Sequence, residues 1–180
     1  RDRVRCVREA VGDSVNIRVD ANDHYSPEEA IKFINKIEQL NVEHVEQPIS
    51  RYDFLGMREI RKSVNVPLMT DDMVSTPLDA MNVIRLDAAD RVKVKVTKHG
   101  IDGAIQIISM LSSAGKRAVL GHVFETGLAA VAEAHLAMLF PDIVGPHEIG
   151  SMEPLGVADK ILQQDPYCCL LYTSDAADEH

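Results

Sequence analysis

Three acids and a lysine stand at nearly even steps along the chain: Asp20, Glu46, Asp71 and Lys95, separated by 26, 25 and 24 residues. Each closes a short apolar, β-branched run, as in Ile17-Arg-Val-Asp20 and Val92-Lys-Val-Lys95. If consecutive runs are neighbouring strands about 4.8 Å apart, three strand ends span about 10 Å and their carboxylates can reach one point. Anions sharing a cleft repel, and one must take a proton unless a cation neutralises them. A hard divalent ion such as Mg2+ does so, accepts oxygen ligands and keeps positions open for substrate oxygens. Asp20, Glu46 and Asp71 are therefore expected to form a metal site, with Lys95 facing the same cavity as a base. Singly, each acid reads equally well as a helix cap or a solvated loop charge. The shared period is what argues for a site.

Elements of two kinds must position these residues. Strands are expected at residues 15–20, 44–46, 67–71, 91–95, 117–120 and 143–144, alternating with longer stretches of helical period. Ala30, Phe33, Ile34 and Ile37 fall on one helix stripe, as do Ala104, Ile107, Ile108 and Leu111. Residues 2–11 and 128–139 also read as helices. Ser26-Pro27-Glu28-Glu29 and Ser75-Thr76-Pro77 supply caps and first-turn prolines. A unit of about 25 residues is close to one eighth of a (β/α)8 barrel of about 250 residues. An open doubly wound sheet shows the same alternation but gives no reason for every strand to end on a reactive residue. The fold expected is α/β, an incomplete (β/α)8 TIM barrel.

The residues at these ends resemble a known family. Arg18-Val-Asp-Ala-Asn22, Val45-Glu-Gln-Pro48, Pro67-Leu-Met-Thr-Asp-Asp72 and Lys95-Val-Thr-Lys-His-Gly100 look like the successive strand-end motifs of the enolase superfamily. The likeness is to the mandelate racemase/muconate lactonizing enzyme family, muconate cycloisomerase-like branch, over roughly residues 3–162. The resemblance implies Mg2+ ligands at Asp20, Glu46 and Asp71, and an acid/base at Lys95 after the sixth barrel strand. It implies a substrate contact at Glu125, in Gly121-His-Val-Phe-Glu-Thr-Gly127. The chain would then run from the third strand to the eighth and lack the N-terminal capping domain. Asn22, two residues past a ligand, is expected either to support it by hydrogen bonding or to shape the turn. Two departures stand out: Asp71-Asp72-Met73 where the family has Asp-Glu-Ser, and Gly100-Ile101 where it has Gly-Gly. Strand alternation favours Asp71 over Asp72 as the ligand. The second-strand Lys-x-Lys motif is absent.

The chemistry implied is removal of the α-proton of a carboxylate substrate to give a metal-stabilised enediolate, in a racemase, epimerase, cycloisomerase or dehydratase. A muconate cycloisomerase-like isomerase or lyase is the first reading. A dipeptide epimerase is weaker, because no Asp-x-Asp lies between Ile143 and Glu148. A barrel that binds metal or ligand without catalysis is the reading from another class. The isolated chain is expected to be inactive, since it carries a base for one substrate face only.

The 180 residues, with 46% apolar and 26% charged, suit one globular domain. A net charge of −9 argues against nucleic acid and anionic membranes as partners, leaving a small-molecule carboxylate. The parent enzyme is expected to be a homo-oligomer. Three cysteines without CxxC spacing suit the cytoplasm. Residues 1–167 are taken as the partial barrel domain and 168–180 as a non-native tail that looks adapter-derived. His122 and His147 are expected in loop or supporting roles, and His135 to pack on its helix. Lys93 is expected to pair with a neighbouring carboxylate.

Overall fold

A computed structural model describes residues 2–123, 126–140 and 147–149. Five strands, β1 (Ile17–Asp20), β2 (Val42–Glu46), β3 (Leu68–Thr70), β4 (Arg91–Val94) and β5 (Arg117–Leu120), form one sheet in the order β1-β2-β3-β4-β5. All pairs are parallel. The strands neighbour one another in chain order with no reversal, so the doubly wound alternative, which needs a switch point, does not apply. The expected strand at 143–144 lies outside the described residues. Asp71 and Lys95 stand one position beyond their strands rather than within them.

Six helices connect or flank the strands: α1 (Asp2–Val11), α2 (Pro27–Ile37), α3 (Phe54–Ser63), α4 (Pro77–Leu86), α5 (Val96–Ser113) and α6 (Gly127–Leu139). Ser26 and Thr76 form full capping boxes with Glu29 and Asp79, each followed by proline at the first helical position. These caps satisfy amides that the first turn otherwise leaves open. Ala30, Ile34 and Ile37 of α2 and Ala104, Ile107, Ile108 and Leu111 of α5 are buried, as their period requires. They pack with Val45, Leu68, Val92, Val94, Ala118 and Leu120 into one apolar core between sheet and helices.

The opposite face of the sheet is charged and curled. The Glu148 N–H donates to the carbonyl of Leu120 on β5 at 2.8 Å. Its side chain nevertheless reaches Arg18 on β1 at 3.2 Å and Lys93 on β4 at 2.7 Å. In a flat sheet β1 and β5 would lie about 19 Å apart, too far for one glutamate to serve both. The register between β1 and β2 shifts at Ile17/Arg18, which leaves Glu43 without a partner residue on β1. Glu43 lies between Arg18 at 2.9 Å and Arg91 at 2.6 Å.

This cluster makes the fold acid-sensitive. Burial opposes ionisation of Glu43, but hydrogen bonds from Arg18 and Arg91 and their charges hold it down at about 2. His44 is fully buried, and its Nδ1 lies 3.0 Å from an Arg91 N–H, so the ring accepts there. Burial, then the charges of Arg91 and Arg18, push His44 down to about 4. Both groups bind fewer protons folded than unfolded, so stability falls as pH drops. The His44 contribution, about 3 kcal/mol at 1.36 kcal/mol per pH unit, goes between 6.5 and 4, and that of Glu43, smaller because solvent screens it, between 4.5 and 2. Urea midpoints are expected to fall from pH 7 to pH 4, and His44→Leu to flatten that window. Equal midpoints across it for the unsubstituted protein would exclude this origin.

Candidate active site

The strand register sets Asp20 opposite Glu46, and Glu46 opposite Met69 two residues before Asp71. Three carboxylates therefore leave the same end of adjacent strands. Asp20 is exposed, and its Oδ1 accepts from the Asn22 N–H at 2.9 Å. Asn22 and Asp23 both take left-handed backbone, with φ of 45° and 60°. Asn22 thus lies in the turn after β1, its main-chain N–H on the Asp20 carboxylate.

Glu46 is buried at 3% exposure, and its Oε2 accepts from Lys93 Nζ at 2.6 Å. Its Oε1 is buried without a hydrogen-bond partner among the described residues. Burial pushes the Glu46 carboxyl up to about 7; the Lys93 ammonium opposes this, and the charges of Asp20 and Asp71 add to it. Lys93 itself is raised, its own burial being outweighed by the charges and hydrogen bonds of Glu46 and Glu148. The expectation that Lys93 pairs with a carboxylate holds. Gly121 makes room for it, because a Cβ there would stand 2.7 Å from Lys93 Cδ and 2.8 Å from Cγ.

Asp71 faces two lysines. Lys95 Nζ donates to Oδ2 at 2.6 Å, and Lys98 Nζ to the main-chain carbonyl at 2.8 Å and to Oδ1 at 3.3 Å. Burial works to raise Asp71, but the Lys95 hydrogen bond and the charges of Lys98, Lys95 and Lys93 hold it below its ordinary value. Asp72 turns instead toward Arg51 at 2.8 Å. Lys98 Nζ also lies 3.6 Å from Asp72. Lys95 is buried at 8% exposure. His99 braces its backbone through Nδ1, 3.0 Å from the Lys95 N–H and 2.8 Å from its carbonyl, while Nε2 lies 3.0 Å from the Val74 carbonyl.

In one respect the arrangement departs from expectation. Among the described residues, no three of His, Cys, Asp and Glu are gathered closely enough to hold an ion as they stand. The ammonium groups of Lys93 and Lys95 engage Glu46 and Asp71 directly, and Asp20 turns back on its own loop. The donor chemistry still fits a hard divalent cation. All three groups are carboxylates, Glu46 senses the charge of the other two, and its Oε1 has no partner among the described residues.

Glu125 lies outside the described residues. His147 supports the sheet, its Nδ1 accepting from the Leu120 N–H at 3.1 Å. His135 is exposed rather than packed, its Nδ1 lying 2.8 Å from the Val131 carbonyl on its own helix. Gln47 and the brace from His99 were not singled out by spacing, although both lie inside motifs quoted above.

Comparison with known proteins places this arrangement. Residues 1–167 match a family model described as enolase C-terminal domain-like. The chain is 37% identical over 138 residues to an L-Ala-D/L-Glu epimerase of Clostridium acetobutylicum, covering 75% of this chain and 38% of that protein. It is similar to a dipeptide epimerase from Cytophaga hutchinsonii solved with Mg and the dipeptide D-Ala-L-Val. There the TM-score is 0.80 and the identity 32%, over 92% of this chain and 43% of the other. It also superposes on muconate cycloisomerase from Pseudomonas fluorescens with a TM-score of 0.84 and 27% identity, over 92% and 45% of the two chains. The chain thus spans about two-fifths of the length of these relatives, and its fold is part of a (β/α)8 barrel. Among the described residues no helix is long and apolar enough to cross a membrane.

Proposed function

The chain belongs to the enolase C-terminal domain-like family, and from that premise we propose that it is the larger part of the barrel of a Mg2+-dependent epimerase or racemase. The reaction is exchange of the α-proton of a carboxylate substrate, with a dipeptide or N-acylated amino acid as the substrate class. The observation that carries this reading is Lys95 Nζ at 2.6 Å from Asp71 Oδ2, which puts a proton-carrying amine beside the carboxylates suited to the cation. The choice of epimerisation over cycloisomerisation is supported by 37% identity to the Clostridium epimerase against 27% to the Pseudomonas cycloisomerase. The missing Asp-x-Asp favours cycloisomerisation as the second reading.

Asp20, Glu46 and Asp71 would hold the Mg2+. When bound, it supplies positive charge that orients a substrate carboxylate and offsets negative charge developing at the α-carbon. Lys95 Nζ, as the free amine, takes the α-proton and becomes an ammonium. Asp71, already in hydrogen-bond contact, stabilises that ammonium. Lys93 opposes the protonation that burial favours at Glu46, and so favours a ligand there that presents charge. Burial of Lys95 limits water around the transferred proton.

The test is proton exchange in D2O. Full-length enzyme supplied with L-Ala-L-Glu and related dipeptides is expected to wash deuterium into one α-position, with a rate that rises on Mg2+ titration and vanishes with chelator. Exchange indifferent to Mg2+, or none with dipeptides, N-acyl amino acids or muconate, would sink the proposal.

A further inference from the structure

Gln47 is a non-glycine residue in left-handed backbone, with φ of 35°, and is only 2% exposed. A side chain held in that region persists where its surroundings fix it. Here every polar group of the residue is engaged. Its N–H donates to the Met69 carbonyl at 2.8 Å, and its carbonyl accepts from the Asp23 N–H at 2.9 Å. The side-chain Nε2 donates to the Ile49 carbonyl at 2.8 Å. The side-chain Oε1 accepts from the Asp71 N–H at 2.9 Å and the Met73 N–H at 3.3 Å. One residue thus joins the loop after Asp20, the strand end at Glu46 and the turn carrying Asp71.

We propose that Gln47 is a positioning residue for the cation site, its amide fixing the turn that carries Asp71 against the strand end that carries Glu46. The inference rests on the reading of Asp20, Glu46 and Asp71 as Mg2+ ligands. Its physical content is that two amide N–H groups, that of Asp71, partly buried, and that of Met73, buried, have Gln47 Oε1 as an acceptor. Removing that acceptor leaves them to seek another, and the turn moves with them. Groups behind metal ligands commonly carry a tenfold to hundredfold share of affinity, on the order of 10–100. A plug that served packing alone would change stability and leave affinity at low temperature untouched.

The experiment measures Mn2+ binding to the full-length enzyme by loss of the free-ion EPR signal, well below the unfolding temperature. Asp71→Asn is expected to weaken binding most, and Gln47→Met by about 10–100-fold. Gln47→Glu keeps an acceptor for both amides and is expected to recover most of the loss. Should Gln47→Met not fold, Gln47→Asn, one methylene shorter, carries the same comparison. Affinity within about twofold of the unsubstituted enzyme in the Met or Asn variant overturns the inference, given the size expected for such groups. If Asp71→Asn also leaves affinity unchanged, the ligand reading fails first and takes this inference with it.

Discussion

Lys95→Ala is expected to lower the rate of α-proton exchange in the full-length enzyme by about 10²–10⁴-fold, the span a positioned acid–base group contributes. The loss has two possible origins that the structure allows to be separated. Lys95 is both the proposed proton carrier and a partner of Asp71 at 2.6 Å. Lys95→Arg retains a cation able to reach Asp71, yet a guanidinium stays protonated at any accessible pH and cannot serve as a base. A proton carrier requires both variants to lose exchange to a similar extent. Recovery by arginine to more than about a tenth of the original rate would assign Lys95 an electrostatic role instead. Lys98 remains near Asp71 in both variants, at 3.3 Å from Oδ1, so the carboxylate is not left without positive charge.

Lys93→Met is the second large effect, this time on stability. Removing one member of a buried ion pair typically costs about 3–5 kcal/mol, because the other charge stays behind unsolvated. Here that charge is Glu46, with a side-chain exposure of 4%, and burial already drives its carboxyl up to about 7. Without the ammonium it rises further, and the folded state then binds a proton that the unfolded state, near 4.5, releases. The sign follows: below the unfolded value the variant escapes most of the penalty as neutral Glu46. The penalty grows as pH climbs through the folded value. Glu148 keeps Arg18 at 3.2 Å and contributes little to the difference. Urea unfolding of the metal-free protein at pH 6 and pH 8.5 should show the larger loss at the higher pH. A loss under about 1 kcal/mol at pH 8.5, or the same loss at both, would show that the pair is not energetically buried.

Much of the site was legible because a barrel repeats. Asp20, Glu46, Asp71 and Lys95 were found by period alone, and the strands deliver all of them to one end of the sheet. The preference for Asp71 over its neighbour followed from alternation; Asp71 contacts Lys95, whereas Asp72 pairs with Arg51, and Lys98 lies near both. Period says nothing of what lies between the strands. The carboxylates were expected to converge on one ion, but Lys93 and Lys95 engage two of them directly, a contest set by side-chain reach rather than by spacing. Gln47 escaped for a similar reason: its role depends on a left-handed φ and an amide that crosses to the next strand. The bulge that isolates Glu43 between two arginines is likewise a matter of register, which no single strand specifies. His135 shows the converse limit: expected to pack on its helix, it is exposed.

The order of the strands also bears on how the chain reaches this state. Each strand pairs with the one made just before it, so most of the sheet assembles through loops of about 25 residues and low closure entropy. The exception is the bond from Arg18 to Glu148, which joins positions 130 apart. The sheet can therefore condense unit by unit as synthesis proceeds, with Glu148, which joins β1 and β5, following those five strands in the chain. Pulse-labelled hydrogen exchange during refolding should find β2 to β4 protected before the Leu120 and Glu148 amides.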